Sequence, residues 1–223
     1  WSDVQSLGLI PIHAMVLPDG KVLSFGTDEN GTQTGQFVYS LYDPETGVDI
    51  ILPNTTDTDI FCSNMSIDPV TGNVLLMGGD ARGEGGRVNT GINDVLVFDY
   101  ATQPIRDATQ GEMAYDRWYN TSITLSNGEI MTLGGTGGGK DNPEIFNHAT
   151  GWRELTGVEM NINYYYPKSW VTSDDKVVSI PGSGQMYRID PTGDGSAQAL
   201  GNPGFPGNAF HPGVMYDVDQ VAI

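Results

Sequence analysis

Two short motifs recur in phase along this chain, and their repetition constrains the fold more than any other feature. The first is a turn, then an apolar run that ends in glycine. It reads Gly20-Lys21-Val22-Leu23-Ser24-Phe25-Gly26, then Gly72-Asn73-Val74-Leu75-Leu76-Met77-Gly78-Gly79. It returns as Gly128-Glu129-Ile130-Met131-Thr132-Leu133-Gly134-Gly135 and as Asp175-Lys176-Val177-Val178-Ser179-Ile180-Pro181-Gly182. A fifth copy begins at Asp219-Gln220-Val221-Ala222-Ile223. The second motif follows each of the first four: Leu41-Tyr42-Asp43-Pro44, Val97-Phe98-Asp99-Tyr100, Ile145-Phe146-Asn147-His148 and Tyr187-Arg188-Ile189-Asp190.

Each unit therefore holds two hairpins. The first turns at Pro18-Asp19-Gly20 or its counterparts, and the second at Asp-Pro-x-Thr-Gly-like signals. Pro, Asn, Asp and Gly supply the backbone geometry of both turns. Four strands in roughly 50 residues is the period of a kelch-type β-propeller blade. Glycine at the end of the second strand lets neighbouring backbones approach where a Cβ would clash. The fold class is thus all-β, a kelch-type β-propeller over residues 1–223. Blade-like units are expected around 12–55, 61–110, 118–160 and 166–205, with the start of another at 210–223. Four units and part of a fifth point to a piece of a larger, seven-bladed parent, because blades bury their faces only against neighbours and the ring must close.

Composition excludes some functions. No segment shows a sustained helical period, so little helix is expected. The formal net charge is −18, with only ten Lys plus Arg among 223 residues. Nucleic acid is excluded as a partner, because phosphate binding needs basic patches. Anionic membrane surfaces are excluded on the same ground, and no apolar run reaches the length of a membrane span. Strong acidity fits an extracellular, secreted protein. The start at Trp1-Ser2-Asp3 reads as a mature or truncated end. His13, His148 and His211 match no zinc-type spacing.

Cys62 is the single cysteine. It has no internal disulfide partner and reads either as a small buried hydrophobe or as a functional thiol. It opens Phe61-Cys62-Ser63-Asn64, one unit before Arg117-Trp118-Tyr119-Asn120. Aligning Ile67 with Leu125 places Cys62 five residues and Tyr119 six residues before the reference point. Side chains alternate along a strand, so regular registers would send these two from opposite faces of adjacent blades, toward each other. Arg117 and Trp118 are candidates for a substrate mouth, with a structural Trp and an ion-paired Arg as the alternative. Tyr166, six residues before Thr172, shares the register of Tyr119 and is read as a structural wall of the same region. The glycines at 137–139 are read as a flexible loop.

These motifs resemble the copper-radical oxidases, galactose oxidase and more closely the glyoxal oxidases with their bacterial relatives. The likeness rests on the cysteine at the head of one unit and Arg117-Trp118-Tyr119 at the head of the next. Leu125-Ser126-Asn127-Gly128, Tyr165-Tyr166-Pro167-Lys168 and Met186-Tyr187-Arg188-Ile189 extend it. The resemblance implies that Tyr119 is an equatorial copper ligand and that Cys62 is bonded through sulfur to its ring. Such a Cys62–Tyr119 thioether is a built-in radical cofactor, and with one copper ion it accepts two electrons. A small aldehyde or primary alcohol would be oxidised by dioxygen, giving hydrogen peroxide. N and O donors in a tetragonal arrangement suit Cu(II).

The family also draws on a tyrosine–histidine pair from a later blade and a histidine from a C-terminal immunoglobulin-like domain. This chain shows neither, and its three histidines do not match those positions. The segment alone is therefore expected to be inactive. The family's tryptophan over the thioether corresponds to Gly137, so another group shields the site or the pocket is more open. The competing reading is a non-catalytic kelch propeller that binds carbohydrate or protein through its loops. A glycosidase-type propeller comes third, since no carboxylate pair stands out in the sequence.

Overall fold

A computed structural model describes residues 6–83, 86–137, 142–160, 165–202, 204 and 212–223. Twenty strands run through them, and the described residues contain no helix. Four antiparallel sheets of four strands dominate. The first holds β1 (Ile10–Val16), β2 (Val22–Thr27), β3 (Val38–Asp43) and β4 (Val48–Pro53). The second holds β5 (Asn64–Ile67), β6 (Val74–Met77), β9 (Val95–Phe98) and β10 (Ile105–Asp107). Between β6 and β9 a hairpin of β7 (Asp80–Gly83) and β8 (Gly86–Gly91) forms its own two-stranded sheet.

The third sheet holds β11 (Arg117–Thr124), β12 (Ile130–Gly137), β13 (Glu144–Asn147) and β14 (Gly151–Glu154). The fourth holds β15 (Lys168–Val171), β16 (Val177–Ile180), β17 (Met186–Asp190) and β18 (Ser196–Gly201). A last hairpin pairs β19 (Val214–Asp217) with β20 (Gln220–Ala222). Every four-stranded sheet is a meander, and the first strands β5, β11 and β15 contact one another in succession. This is the layout of β-propeller blades.

Alternation within the middle strands explains how the blades stack. All four residues of β6 are buried. Val74 and Leu76 join a core with Leu23, Phe25 and Leu41 of the first sheet. Leu75 and Met77 join Ile130 and Phe146 of the third. The strand β9 repeats this: Leu96 and Phe98 face one way, Val95 and Val97 the other. Strands covered on both faces read as continuous apolar runs, which is why the repeat is so visible in the sequence. The third core, with Met131, Leu133, Ile145, Val177 and Ile189, lies between the third and fourth sheets. Apolar residues stay exposed on the outermost elements, including Ile12, Val16, Ile51, Val214 and Tyr216.

The glycine pairs do what the sequence suggested. A Cβ on Gly78 would lie 2.3 Å from the Arg117 carbonyl oxygen, and one on Gly79 would lie 2.2 Å from that of Asp59. The Gly79 N–H donates to the Arg117 carbonyl at 3.0 Å, tying the second sheet to the third.

Candidate active site

Seven non-glycine residues have a positive φ among the described residues. Four are Asn89, Gln103, Asp175 and Asp219, polar types that tolerate turns. The other three are Cys62 (62°), Tyr119 (63°) and Tyr166 (46°). For such side chains the left-handed region costs about 1–2 kcal/mol each. They stand at one position in three successive sheets and are chained by their backbones. The Tyr119 N–H donates to the Cys62 carbonyl at 3.0 Å, and the Tyr166 N–H donates to the Tyr119 carbonyl at 2.7 Å.

This corrects the opposite-face argument from sequence. The turn after β5 is one residue longer than the turn after β11. The Asp68 N–H donates to the Asn73 carbonyl, whereas the Leu125 N–H donates to that of Glu129. Asp68, and not Ile67, is therefore the counterpart of Leu125, and Thr172, whose N–H donates to Lys176, is the third. Cys62, Tyr119 and Tyr166 each precede these residues by six positions. They meet because they share a left-handed backbone, and not because their parities differ. The pairing Trp118–Thr136 and Asn120–Gly134 leaves Tyr119 opposite Gly135. Continuing the registers of β5 with β6 and β15 with β16 puts Cys62 opposite Gly79 and Tyr166 opposite Gly182. Glycine across the sheet leaves room for the distorted residue: a Cβ on Gly135 would lie 2.9 Å from the Trp118 carbonyl.

The side chains converge. Cys62 is buried in a cluster with Phe61 and Trp118, against Tyr119 and Tyr165. Burial pushes its thiol up to about 12, and the Tyr119 and Tyr166 side chains draw it partly back. Burial, with the Cys62 side chain next, raises the Tyr119 hydroxyl above the ordinary phenol range. Tyr166 is raised in the same direction, again chiefly by burial. In the apo protein all three groups are therefore protonated at neutral pH. Rings enclose Tyr119: Trp118 at 4.2 Å between centroids, and Tyr165 and Tyr166 each at 5.0 Å edge to face. Among the described residues the Nε1 of Trp118 has no hydrogen-bond partner. His13 stacks on Phe25 at 4.9 Å and lies 6.5 Å from the ring of Tyr166. Burial lowers His13 to about 4, so it is neutral.

Two charged groups support this region from behind. Asp59 pairs with Arg82 and accepts the Phe61 N–H at 3.0 Å, which fixes the approach to Cys62. Burial holds the Asp59 carboxyl above its ordinary value despite Arg82. Arg117 is not at a mouth. It is 1% exposed, and its Nη2 meets Glu144 at 2.7 Å. Its Nη1 donates to the Gly134 carbonyl at 2.9 Å and its Nη2 to that of Asn142 at 2.7 Å. Trp118 is 8% exposed and packs as a wall against Tyr119. A cavity of about 310 Å³ lies between the third and fourth sheets around Asn127, Arg153 and Pro191, and neither Cys62 nor Tyr119 lines it. Chemistry and burial, more than cavity size, single out the cysteine–tyrosine cluster. Residues 138–141 and His211, which the sequence reading touched, lie outside the described residues.

Sequence reasoning paired Cys62 with Tyr119 but left Tyr166 as a wall. The signal that finds it is the glycine opposite each distorted residue, at 79, 135 and 182.

No family model matches the chain. Two galactose oxidase sequences from Gibberella zeae are each 28% identical over 174 residues, covering 72% of this chain and 23% of the relative. The chain thus spans less than a quarter of the length of these curated relatives. A fungal alcohol oxidase of the AA5 family, solved in complex with copper, superposes with a TM-score of 0.78 at 23% identity. That match covers 97% of this chain and 47% of the oxidase. The protein YjhT superposes with a TM-score of 0.58 at 14% identity, over 89% of this chain and 67% of its own. The structural matches carry the propeller fold, and in sequence the chain is similar to galactose oxidases over 174 residues.

Proposed function

We propose that this chain is the kelch-type propeller portion of a secreted copper-radical oxidase. In this reading the whole protein oxidises small aldehydes or primary alcohols with dioxygen and releases hydrogen peroxide. The observation that carries it is the buried Cys62 thiol held against the ring of Tyr119 by matched left-handed backbones.

The residues present fit part of a copper site. Cu(II) takes N and O donors in a tetragonal set. Tyr119 offers one phenol oxygen, and among the described residues no group of three or more His, Cys, Asp or Glu could hold a metal. The remaining donors are therefore assigned to parts of the longer protein outside these residues, as are further blades and a C-terminal domain. When bound, copper supplies a one-electron acceptor beside the phenol.

This chain's own residues do the rest. Cys62 loses its thiol hydrogen, Tyr119 loses a ring hydrogen ortho to its hydroxyl, and a C–S bond forms. The two electrons and two protons pass to dioxygen, giving hydrogen peroxide. The sulfur lone pair then spreads an unpaired electron from the Tyr119 ring, which makes the ring easier to oxidise. In turnover the Tyr119 oxygen, once the ring has lost one electron, would take a hydrogen atom from the substrate carbon. The second electron would pass to copper and the hydroxyl proton to a base outside these residues. Trp118, Tyr165 and Tyr166 exclude water from the ring, in place of the tryptophan that the sequence lacks at Gly137.

Copper loading of the intact protein in air, followed by peptide mapping, tests the reading. A Cys62–Tyr119 cross-linked peptide lighter by two hydrogens is expected. A Cys62 that stays free and alkylatable after loading would sink it and favour a loop-binding propeller for carbohydrate or protein.

A further inference from the structure

We infer that Asp59 is a positioning residue whose carboxylate holds the left-handed turn that presents the Cys62 thiol to Tyr119. The inference deepens the oxidase reading and rests on it for what the thiol then does.

Cys62 stands third in a four-residue turn, Ile60 to Ser63, closed by the Ser63 N–H donating to the Ile60 carbonyl at 3.0 Å. Its φ is 62°. A positive φ at that place is the demand of a type II turn, and glycine or asparagine meets it most easily. Cysteine does not, so the turn needs support from beyond its own backbone.

Asp59 supplies that support. It stands directly before the turn and is 1% exposed. Its Oδ1 accepts the N–H of Phe61, the residue before Cys62, at 3.0 Å. A bond from Asp to the amide two residues on imposes a turn by itself. The carboxylate is held in its own right. Arg82 of the β7–β8 hairpin pairs with it, and Asp80 of the same hairpin donates its N–H to the Asp59 carbonyl at 3.0 Å. Gly35, in the loop between β2 and β3, closes the space further, since a Cβ there would come within 2.8 Å of Oδ1. The turn so fixed sets the Cys62 carbonyl where the Tyr119 N–H meets it at 3.0 Å. The hairpin inserted into the second blade thus acts on the thiol through Asp59, orienting it before any bond forms.

Hydrogen exchange at single amides of the intact, metal-free protein tests this. Asp59→Ala should raise the exchange rate of the Ser63 amide about fivefold to tenfold, the effect of one lost hydrogen bond. Asp59→Asn keeps the acceptor oxygen and should restore most of the protection, although the pair with Arg82 is gone. In a Cys62→Gly background, Asp59→Ala should change the Ser63 rate by less than about twofold, because glycine holds a positive φ unaided. A general supporting role for Asp59 would not give that result. After copper loading, Asp59→Ala should slow the Cys62–Tyr119 cross-link by a similar factor. Asp59→Ser, a weaker acceptor, carries the comparison if Asp59→Ala does not fold. An unchanged Ser63 rate, or an equal rise with and without Cys62→Gly, would overturn the inference. So would cross-linking at the wild-type rate despite faster exchange. If wild-type protein never cross-links, the oxidase reading fails and the exchange rates alone decide the role of Asp59.

Discussion

The backbone N–H of Tyr119 donates to the carbonyl oxygen of Cys62 at 3.0 Å, and both residues hold the same left-handed backbone, φ 63° and 62°. Two blades are thus locked at the level of the main chain where these two side chains meet. The geometry does not depend on a bond between sulfur and ring. It is ready before one forms.

Cys62→Ser should therefore keep the fold while abolishing the chemistry. Serine has nearly the same size in this buried place against Tyr119, so the stability cost should be that of desolvating one hydroxyl, about 1–3 kcal/mol. Intact mass after copper loading should show no loss of hydrogen, and a urea midpoint should report that cost. A persistent two-hydrogen loss in this variant would move the cross-link away from Cys62.

The Arg117–Glu144 pair is buried on both sides, with side-chain exposures of 2% and 1%. Removing one partner leaves an uncompensated charge, at a cost of roughly 3–5 kcal/mol. Arg117→Met should thus lower the denaturation midpoint steeply. Because Arg117 holds Gly134 and Asn142 rather than substrate, Arg117→Lys should act on stability before it acts on KM.

Two glycines separate clash from backbone strain. Gly20 has φ 84° but open space around it, so Gly20→Ala should cost about 1–2 kcal/mol, the left-handed penalty alone. Gly79→Ala places a Cβ 2.2 Å from the Asp59 carbonyl, where the backbone cannot yield without parting two sheets. Its loss should exceed that of Gly20→Ala by at least about 2 kcal/mol, in line with overpacking. Equal midpoints for the two variants would contradict the close approach.

His13 gives the fold an acid limb. Burial depresses it to about 4, below its unfolded value, so the folded state holds it neutral. The stability it contributes is complete above the unfolded pKa. It is lost as pH falls from the unfolded value through about 4, because the unfolded chain binds the proton first. The loss should be on the order of 2–3 kcal/mol. His13→Phe, which preserves the stack on Phe25, should flatten that limb in unfolding curves taken across this range.

Trp118 offers a test of an unpaired donor. Its Nε1 is buried without a partner among the described residues, while its ring packs on Tyr119. Trp118→Phe keeps an aromatic face and removes the unsatisfied N–H, a gain of roughly 1–3 kcal/mol set against the loss of ring area. The unfolding midpoint should move little, in contrast to Trp118→Ala, which should cost roughly 3–5 kcal/mol.

The strands, the turns and the glycine pairs are legible from residue order alone. Those signals are local: Val74-Leu75-Leu76-Met77 reads as a strand buried on both faces, and Pro18-Asp19-Gly20 reads as a turn, whatever lies far along the chain. Residue order also nominates Cys62 and Tyr119, because both head their units. How they meet depends on contacts between sheets that form on folding. The turn at Asp68–Asn73 is one residue longer than its counterpart, and one residue reverses every side chain of a strand. Likewise, nothing in Arg117-Trp118-Tyr119 tells that the guanidinium turns inward to Glu144, because that partner arrives from β13, two strands away. Tyr166, just before the fourth sheet, sets its ring edge-on to Tyr119 of the third, a contact that exists only once these blades are stacked. Local periodicity fixes a blade, while contacts between blades depend on backbone strain and turn length summed over the stack.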